Sequence, residues 1–247
     1  MDLKEKLITT MLDATKYTGS TEKETKKISA SSFDSEPMQL YLRYKYGDQD
    51  NNKDFTASTA GSLLQLGVDS IFGSMNDFKI ATRVEKVLPN GFVVSGETDL
   101  ISEEYKAIID FKLLAGAGFK KVLSRDSYVS NMSIYNWLFD NKYPNSYLFA
   151  INKAGSSVRG NQYAFIDYTD CIWNYDEVEE ILIDKTNEIQ HMIDHPEDIP
   201  ECNVFEYGKS KTGVPNKCEY YCSFKNVCPD YKKRMEKNNY HALKALI

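Results

Sequence analysis

The 247-residue sequence contains no apolar run of the roughly twenty residues that a membrane-spanning helix needs. Its opening residues, MDLKEKLITT, lack the apolar core of a secretory signal, so a cytosolic compartment is expected. Histidine is scarce, with three residues in all, and no cysteine precedes Cys171. Five cysteines in a cytosolic chain are not expected to pair as disulfides. The sequence has no G-x-x-x-x-G-K-[ST], no G-x-S-x-G and no H-E-x-x-H, which speaks against a P-loop NTPase, an α/β-hydrolase and a zincin. Positive charge is not in excess either. Thirty Lys and Arg stand against 36 Asp and Glu, a net charge of −6, which excludes a uniformly basic nucleic-acid coat protein.

What is present is ordinary in bulk and uneven in distribution. Hydrophobic residues make up 42% and charged residues 27%, values of a soluble globular protein. At about 150 residues per domain the length allows one or two domains. Residues 111–160 carry 7 basic and 2 acidic side chains, whereas residues 161–200 carry 1 and 11. The basic stretch is a candidate phosphate-binding region, with solvated lysines as the bland explanation.

Hydrophobic periodicity predicts the elements. Residues 1–17 read as a short amphipathic helix, followed by a polar link, and the stretch 28–47 opens on SASS, a helix-start signal. A helix is expected over 56–72, with Leu64, Val68, Ile71 and Phe72 on one face. Strands follow over 78–88, 92–101 and 106–113, the first two joined by Pro89-Asn90-Gly91. Their short links make an antiparallel meander. Beyond a flexible break at 115–118 come a helix near 127–141, strands over 147–152 and 162–168, and a helix over 176–194. A short basic helix from about Tyr231 closes the chain. This order predicts an α/β fold, a mixed central sheet with an antiparallel meander flanked by helices.

Chemistry concentrates in Val94–Leu114, VSGETDLISEEYKAIIDFKLL. Residues i and i+2 of a strand share a face, so Asp110 and Lys112 project together. A turn centred between Glu104 and Tyr105 sets Asp99 directly opposite Asp110, with Cβ atoms ~4.5–5.5 Å apart. Ile108, Ile109, Phe111, Leu113 and Leu114 surround these charges and make the strand internal. Two carboxylates there repel unless a cation sits between them. Lys112 supplies one charge; Mg²⁺ or Mn²⁺, which favour hard oxygen ligands, would satisfy the pair better. Held by Asp99, Asp110 and the backbone carbonyl of Phe111, such an ion would polarise a phosphate and acidify a water. Glu97, two residues before Asp99, is a candidate extra acid, whereas Glu85 reads as a solvated strand residue. Lys120, Lys121 and Arg125, just after the third strand, are candidate phosphate contacts, with Lys153 and Arg159 flanking a later strand.

Gly96-Glu97-Thr98-Asp99 followed by Ile109-Asp110-Phe111-Lys112 resembles the core of the PD-(D/E)xK nuclease superfamily, in its RecB-type exonuclease branch. Gly61-Ser62-Leu63-Leu64-Gln65 stands where that branch carries G-x-x-x-H, and Asn131-Met132-Ser133-Ile134-Tyr135 where it carries Q-x-x-x-Y. The resemblance spans about residues 28–230. It implies a restriction-endonuclease-like core and a Mg²⁺- or Mn²⁺-dependent deoxyribonuclease, an exonuclease rather than an endonuclease. Asp99, Asp110 and Lys112 would be the catalytic set, Gln65 or Glu97 a further metal ligand, and Asn131 and Tyr135 substrate contacts. It further implies DNA with free ends or single-stranded segments as substrate, in recombination, repair or phage DNA processing. A helicase or recombination protein is the implied partner, in a bacterial or phage-infected cytoplasm. Gln65 in place of histidine and Asn131 in place of glutamine depart from the pattern. They motivate an alternative in which an impaired nuclease fold serves as a nucleic-acid-binding or protein-interaction module.

The C-terminal region adds Cys218, Cys222 and Cys228, a C-x3-C-x5-C run, with Cys202 upstream and Phe224 inside the cluster. Four thiolates suit Zn²⁺ or an iron–sulfur cluster. The resemblance implies a [4Fe–4S] cluster held by one N-terminal and three C-terminal cysteines. Glu36-Pro37-Met38 stands where the first would be, leaving Cys202, Cys171 or no residue as the fourth ligand. The alternative is an apolar cluster of cysteines with Phe224 and Tyr220. Cys171, beside Ile172 and Trp173, reads as a buried core thiol. His191, His195 and His241 read as surface or cap residues. The expected organisation is an N-terminal helix and linker over 1–27, a nuclease domain over 28–200 and a cysteine-bearing tail over 201–247.

Overall fold

The structure, a computed structural model, describes residues 22–48, 55–114, 126–152, 163–202, 214–215, 218 and 222–244. The predicted helix over 1–17 and the side chains of Lys120, Lys121, Arg125, Lys153, Arg159 and Tyr220 lie outside these residues. The described elements are β1 (Lys27–Ser29), a 3-10 turn (Ala30–Ser32), α1 (Pro37–Tyr46), α2 (Phe55–Phe72), β2 (Phe78–Val87), β3 (Val93–Ser102) and β4 (Ala107–Leu114). There follow α3 (Asp126–Leu138), β5 (Asn145–Asn152), β6 (Tyr163–Asp167), α4 (Tyr175–Asp194), a 3-10 turn (Pro196–Asp198) and α5 (Pro229–Lys244).

The sheet runs β1-β3-β4-β5-β6, with β2 paired to β3. β1 with β3 and β4 with β5 are parallel, and the other pairs are antiparallel. This is the mixed α/β architecture expected, with β2, β3 and β4 as the meander, and it is compatible with a restriction-endonuclease-like core. The turn joining β2 to β3 works as its residues predict: Gly91 takes φ +84°, and its N–H donates to the Leu88 carbonyl at 2.9 Å. Asn90 then ties the turn to α4 through Thr186 Oγ1 (2.8 Å). Among the described residues no helix is long and apolar enough to cross a membrane.

The chain forms two compact units. One takes in residues 26–34 and 57–187 and holds the sheet; the other takes in residues 16–25, 35–56 and 188–247, so far as these are described. The core of the second is an apolar cluster of Met38, Leu42, Cys202, Val214, Cys218, Phe224 and Cys228.

Two expectations need correction. SASS does not start an α-helix. Ile28 is buried in β1 opposite Val94, and Ser32 Oγ takes the Ser29 N–H (3.1 Å) to close the 3-10 turn. The helix begins at Pro37, whose fixed φ suits a first turn. Nor does the apolar face predicted for α2 form a core stripe: Val68 is buried but Ile71 is 59% exposed. This helix meets the sheet at its C-terminal end, where the Phe72 ring lies against Phe78 and Phe111.

Candidate active site

The β3–β4 ladder pairs Leu100 with Ile109, Ile101 with Ile108 and Ser102 with Ala107, which is the register predicted from the turn. The pairing ends there. Asp99 and Asp110, the next residues on each strand, stand where β3 and β4 part. The Phe111 N–H, free of a ladder partner on that side, donates to Asp99 Oδ2 at 2.7 Å. β4 stays paired with β5 from Ala107 to Leu114, so Asp110 and Lys112 ride on a rigid strand.

Gly96 faces α3. A Cβ at Gly96 would come within 2.8 Å of the Tyr135 ring and 2.7 Å of Leu138 Cδ1, and the same Tyr135 senses the charges of Asp99 and Asp110. On β2, Ala81 stands opposite Asp99 with φ +42° and drops out of the ladder between the pairs Ile80–Leu100 and Thr82–Thr98, whose register is the same on both sides. A non-glycine residue held at positive φ costs roughly 1–3 kcal/mol. The missing Cβ at Gly96 leaves room for the Tyr135 ring. Gly96→Ala is therefore expected to destabilise the protein by about 1–3 kcal/mol through overpacking against a buried ring. Urea unfolding checks this; a midpoint equal to the wild type would show that the ring gives way freely.

Asp110 is 5% exposed, and Lys112 Nζ lies 2.6 Å from its Oδ2. Apart from that ion pair, Oδ2 is buried and receives no hydrogen bond. Burial, and then the neighbouring Asp110 carboxylate, push the Asp99 pKa up to about 7, with Lys112 and the Phe111 N–H pulling the other way. For Lys112 burial works against the charged form, but Asp110 and Asp99 outweigh it and hold the pKa above its ordinary value, so the side chain is an ammonium. Burial, reinforced by Asp110 and Asp99, raises the Tyr135 pKa well beyond the usual range and keeps the phenol protonated. The corner thus holds two carboxylates sharing one ammonium. That donor set fits a hard divalent cation, which would take Asp99, Asp110 and the Phe111 carbonyl and fill its remaining positions with water.

The other predicted residues fare differently. Tyr135 is brought to the site by α3; Asn131, one turn earlier, is half-buried. Gln65 turns onto its own helix, donating from Nε2 to Asp69 Oδ1 (2.8 Å). Glu97 is exposed, with Arg83 Nη1 3.9 Å away, and Glu85 is held at the surface by Lys27 and Arg83. Tyr128, which sequence reasoning did not select, is buried on α3 and interacts electrostatically with Lys112. Its only signal was its place two turns before Tyr135.

In the second unit, Cys202, Cys218, Cys222 and Cys228 line one cavity of about 10 Å³, together with Met38, Lys225, Asp230 and Arg234. Burial pushes the Cys202 thiol up to about 12 and raises Cys218 and Cys228 as well. Among the described residues no three His, Cys, Asp or Glu side chains are already arranged to hold a metal ion. Cys171 corrects the expectation of a buried thiol: it is exposed, in the turn after β6, where its N–H bonds the Tyr168 carbonyl. His191 and His195 are surface residues, and His195 caps the Pro196–Asp198 turn.

No family profile and no curated protein matches the chain. Among solved structures it is similar to the crystal structure of SSO0001, with a TM-score of 0.60 and 17% identity, covering 94% of this chain and 98% of that one. It is also weakly similar to a phage-related exonuclease from Haemophilus somnus 129PT, with a TM-score of 0.47 and 15% identity, covering 69% of this chain and 95% of that one. At these identities the first likeness carries the fold, over nearly the whole of both chains. Function has to be argued from the site.

Proposed function

We propose that the protein is a divalent-metal-dependent nuclease that hydrolyses phosphodiester bonds in DNA. The observation that carries this reading is the meeting of Asp99, Asp110 and Lys112 where β3 and β4 part. A bound Mg²⁺ or Mn²⁺ would supply Lewis-acid polarisation of the phosphate and a water of lowered pKa. The chain's own groups do the rest. Asp99 and Asp110 would present oxygens to the cation, and the Phe111 N–H fixes the orientation of Asp99. Lys112, cationic beside Asp110, orients the attacking water or balances charge building on the phosphate; as an ammonium it is not the base. The protonated Tyr135, whose phenol feels both carboxylates, is a further hydrogen-bond donor.

DNA as substrate, exonucleolytic action on free ends or single-stranded segments, and work beside a helicase or recombination protein rest on the sequence resemblance. A second reading, a nuclease fold that binds nucleic acid without cutting it, is favoured by the engagement of Gln65 with Asp69 instead of a metal site. Labelled linear and circular DNA, single- and double-stranded, with an RNA arm, separates the two. Cleavage is expected with Mg²⁺ or Mn²⁺ and none with EDTA, and linear DNA should be lost before circular. Cleavage unaffected by EDTA would overturn the metal-dependent reading, and binding without cleavage would favour the second.

A further inference from the structure

We infer that the outer edge of β6 is an interface at which a second copy of this chain adds its own β6, antiparallel about a two-fold axis at Phe165. Among the described residues β6 pairs with β5 alone, in one unbroken register from Tyr147–Asp167 to Ile151–Tyr163. It carries none of the devices that keep a sheet edge from recruiting another strand, having no lysine, proline or bulge. β2, which likewise has a single partner, is the contrast. It carries Lys79, Arg83, Glu85 and Lys86, and Ala81 at φ +42° interrupts its ladder. In place of such charges β6 presents Tyr163 and Phe165, 58% and 56% exposed. Their rings are already held, Phe165 stacked on Tyr147 (4.9 Å between centroids) and Tyr163 on Phe149 (5.7 Å). Rings fixed before contact lose little freedom on binding.

Three observations select a second copy as the occupant. The first is backbone phase. The Tyr168 N–H donates to the Ser146 carbonyl at 2.8 Å. By the alternation of an antiparallel ladder, Ile166 and Ala164 then turn their N–H and C=O groups to β5, and Tyr163, Phe165 and Asp167 turn theirs outward. Those outward residues are symmetric about Phe165, so a two-fold axis there matches each of them with one from the other copy. The second is side-chain fit. Phe165 meets Phe165, Ala164 meets Ile166 as small against large, and the Tyr163 phenol stands beside Asp167. The third is charge. Residues 153–162, entering β6, include two cations and no anion, whereas Asp167 and Asp170 follow with no cation before Lys185. Antiparallel pairing sets the basic flank of one copy against the acidic flank of the other; parallel pairing would oppose like charges. Asp167 shares the face of the two rings, which sets this edge against a polyanion.

Such a contact is isologous and closes at two copies. It joins the sheets with like faces on the same side, so that the two Asp99–Asp110 corners lie roughly 25 Å apart, five strand spacings. One short strand pair with its rings is a small interface, and a dimer dissociating on the order of 10 µM is expected.

The test is sedimentation equilibrium of the full chain over about two decades of concentration around that value. A monomer–dimer equilibrium is expected. Phe165→Lys and Phe165→Glu should each weaken it at least about tenfold, because like charges then stand directly opposite, and an equimolar mixture of the two should restore it. That rescue requires position 165 to face itself. A wild-type protein that stays monomeric throughout overturns the inference, as do open-ended oligomers, variants that dimerise like the wild type, or a mixture without rescue. Should the variants not fold, hydrogen exchange of the wild type decides. The Tyr163, Phe165 and Asp167 amides should gain protection as concentration rises, and protection indifferent to concentration overturns the inference. Protection gained only with added single-stranded DNA would assign the edge to nucleic acid and likewise overturn the second copy. None of these readouts needs cleavage or a bound metal, so this inference and the nuclease reading can fail separately.

Discussion

Asp110→Ala is expected to abolish metal-dependent DNA cleavage, a loss of about a thousandfold or more, while the protein stays folded. Several kcal/mol of charge stabilisation in the transition state depend on a correctly held cation, and each 1.4 kcal/mol is about tenfold in rate. Asp110 contributes one of the two carboxylates, buried and paired with Lys112. The fold should tolerate the change. β4 keeps its eight pairs with β5, and Lys112 retains Asp99 nearby as a counter-charge. Removing Asp110 also takes away the carboxylate that, after burial, most raises the Asp99 pKa. Turnover on labelled DNA, beside a circular dichroism melt, checks both halves. Undiminished cleavage by Asp110→Ala would move the active site elsewhere.

A reversal of pH dependence on adding metal is the second large effect. In the metal-free protein the Asp99 pKa, raised to about 7 by burial and then by Asp110, lies above its value of about 3.9 in an unfolded chain. The native state therefore holds a proton that the unfolded state has released. The resulting stability is fully present below about pH 4 and is lost as pH rises through about 7, at most a few kcal/mol. A divalent cation requires the ionised form, so its binding releases protons and strengthens about tenfold per pH unit below 7. Melting temperatures should then fall between pH 5 and 8 without metal and rise, or level off, with saturating Mg²⁺ or Mn²⁺. Calorimetric titrations in buffers of different protonation enthalpy would count the protons released. A metal-free protein that gains stability steadily from pH 5 to 8 would contradict the buried pair.

The legible part of the site was local. Alternation and turn symmetry are short-range properties of a hairpin, and they sufficed to set Leu100 against Ile109 and hence Asp99 beside Asp110. The illegible part depended on partners distant in the chain. Gly96 looked like one position of a short motif, but its role is to leave room for Tyr135, 39 residues later. Gln65, an expected ligand alternative to Glu97, donates to Asp69, one turn along the same helix, a partner its own motif does not signal. SASS carried a true capping pattern, yet burying Ile28 in the sheet outweighed the local preference for helix.

The sequence by itself determined the element order, the meander and its register, the pairing of Asp110 with Lys112 on one strand face, and the cysteine spacing, because each follows from period-two or period-3.6 patterns and nearby turns. The tertiary structure alone decided that the β3–β4 ladder stops before Asp99, that Gly96 makes room for the Tyr135 ring, and that Cys202 rather than Cys171 joins the C-terminal thiols. Those outcomes depend on which surfaces exclude water together. A chain meeting itself across tens of residues leaves no periodic trace of that in its own order.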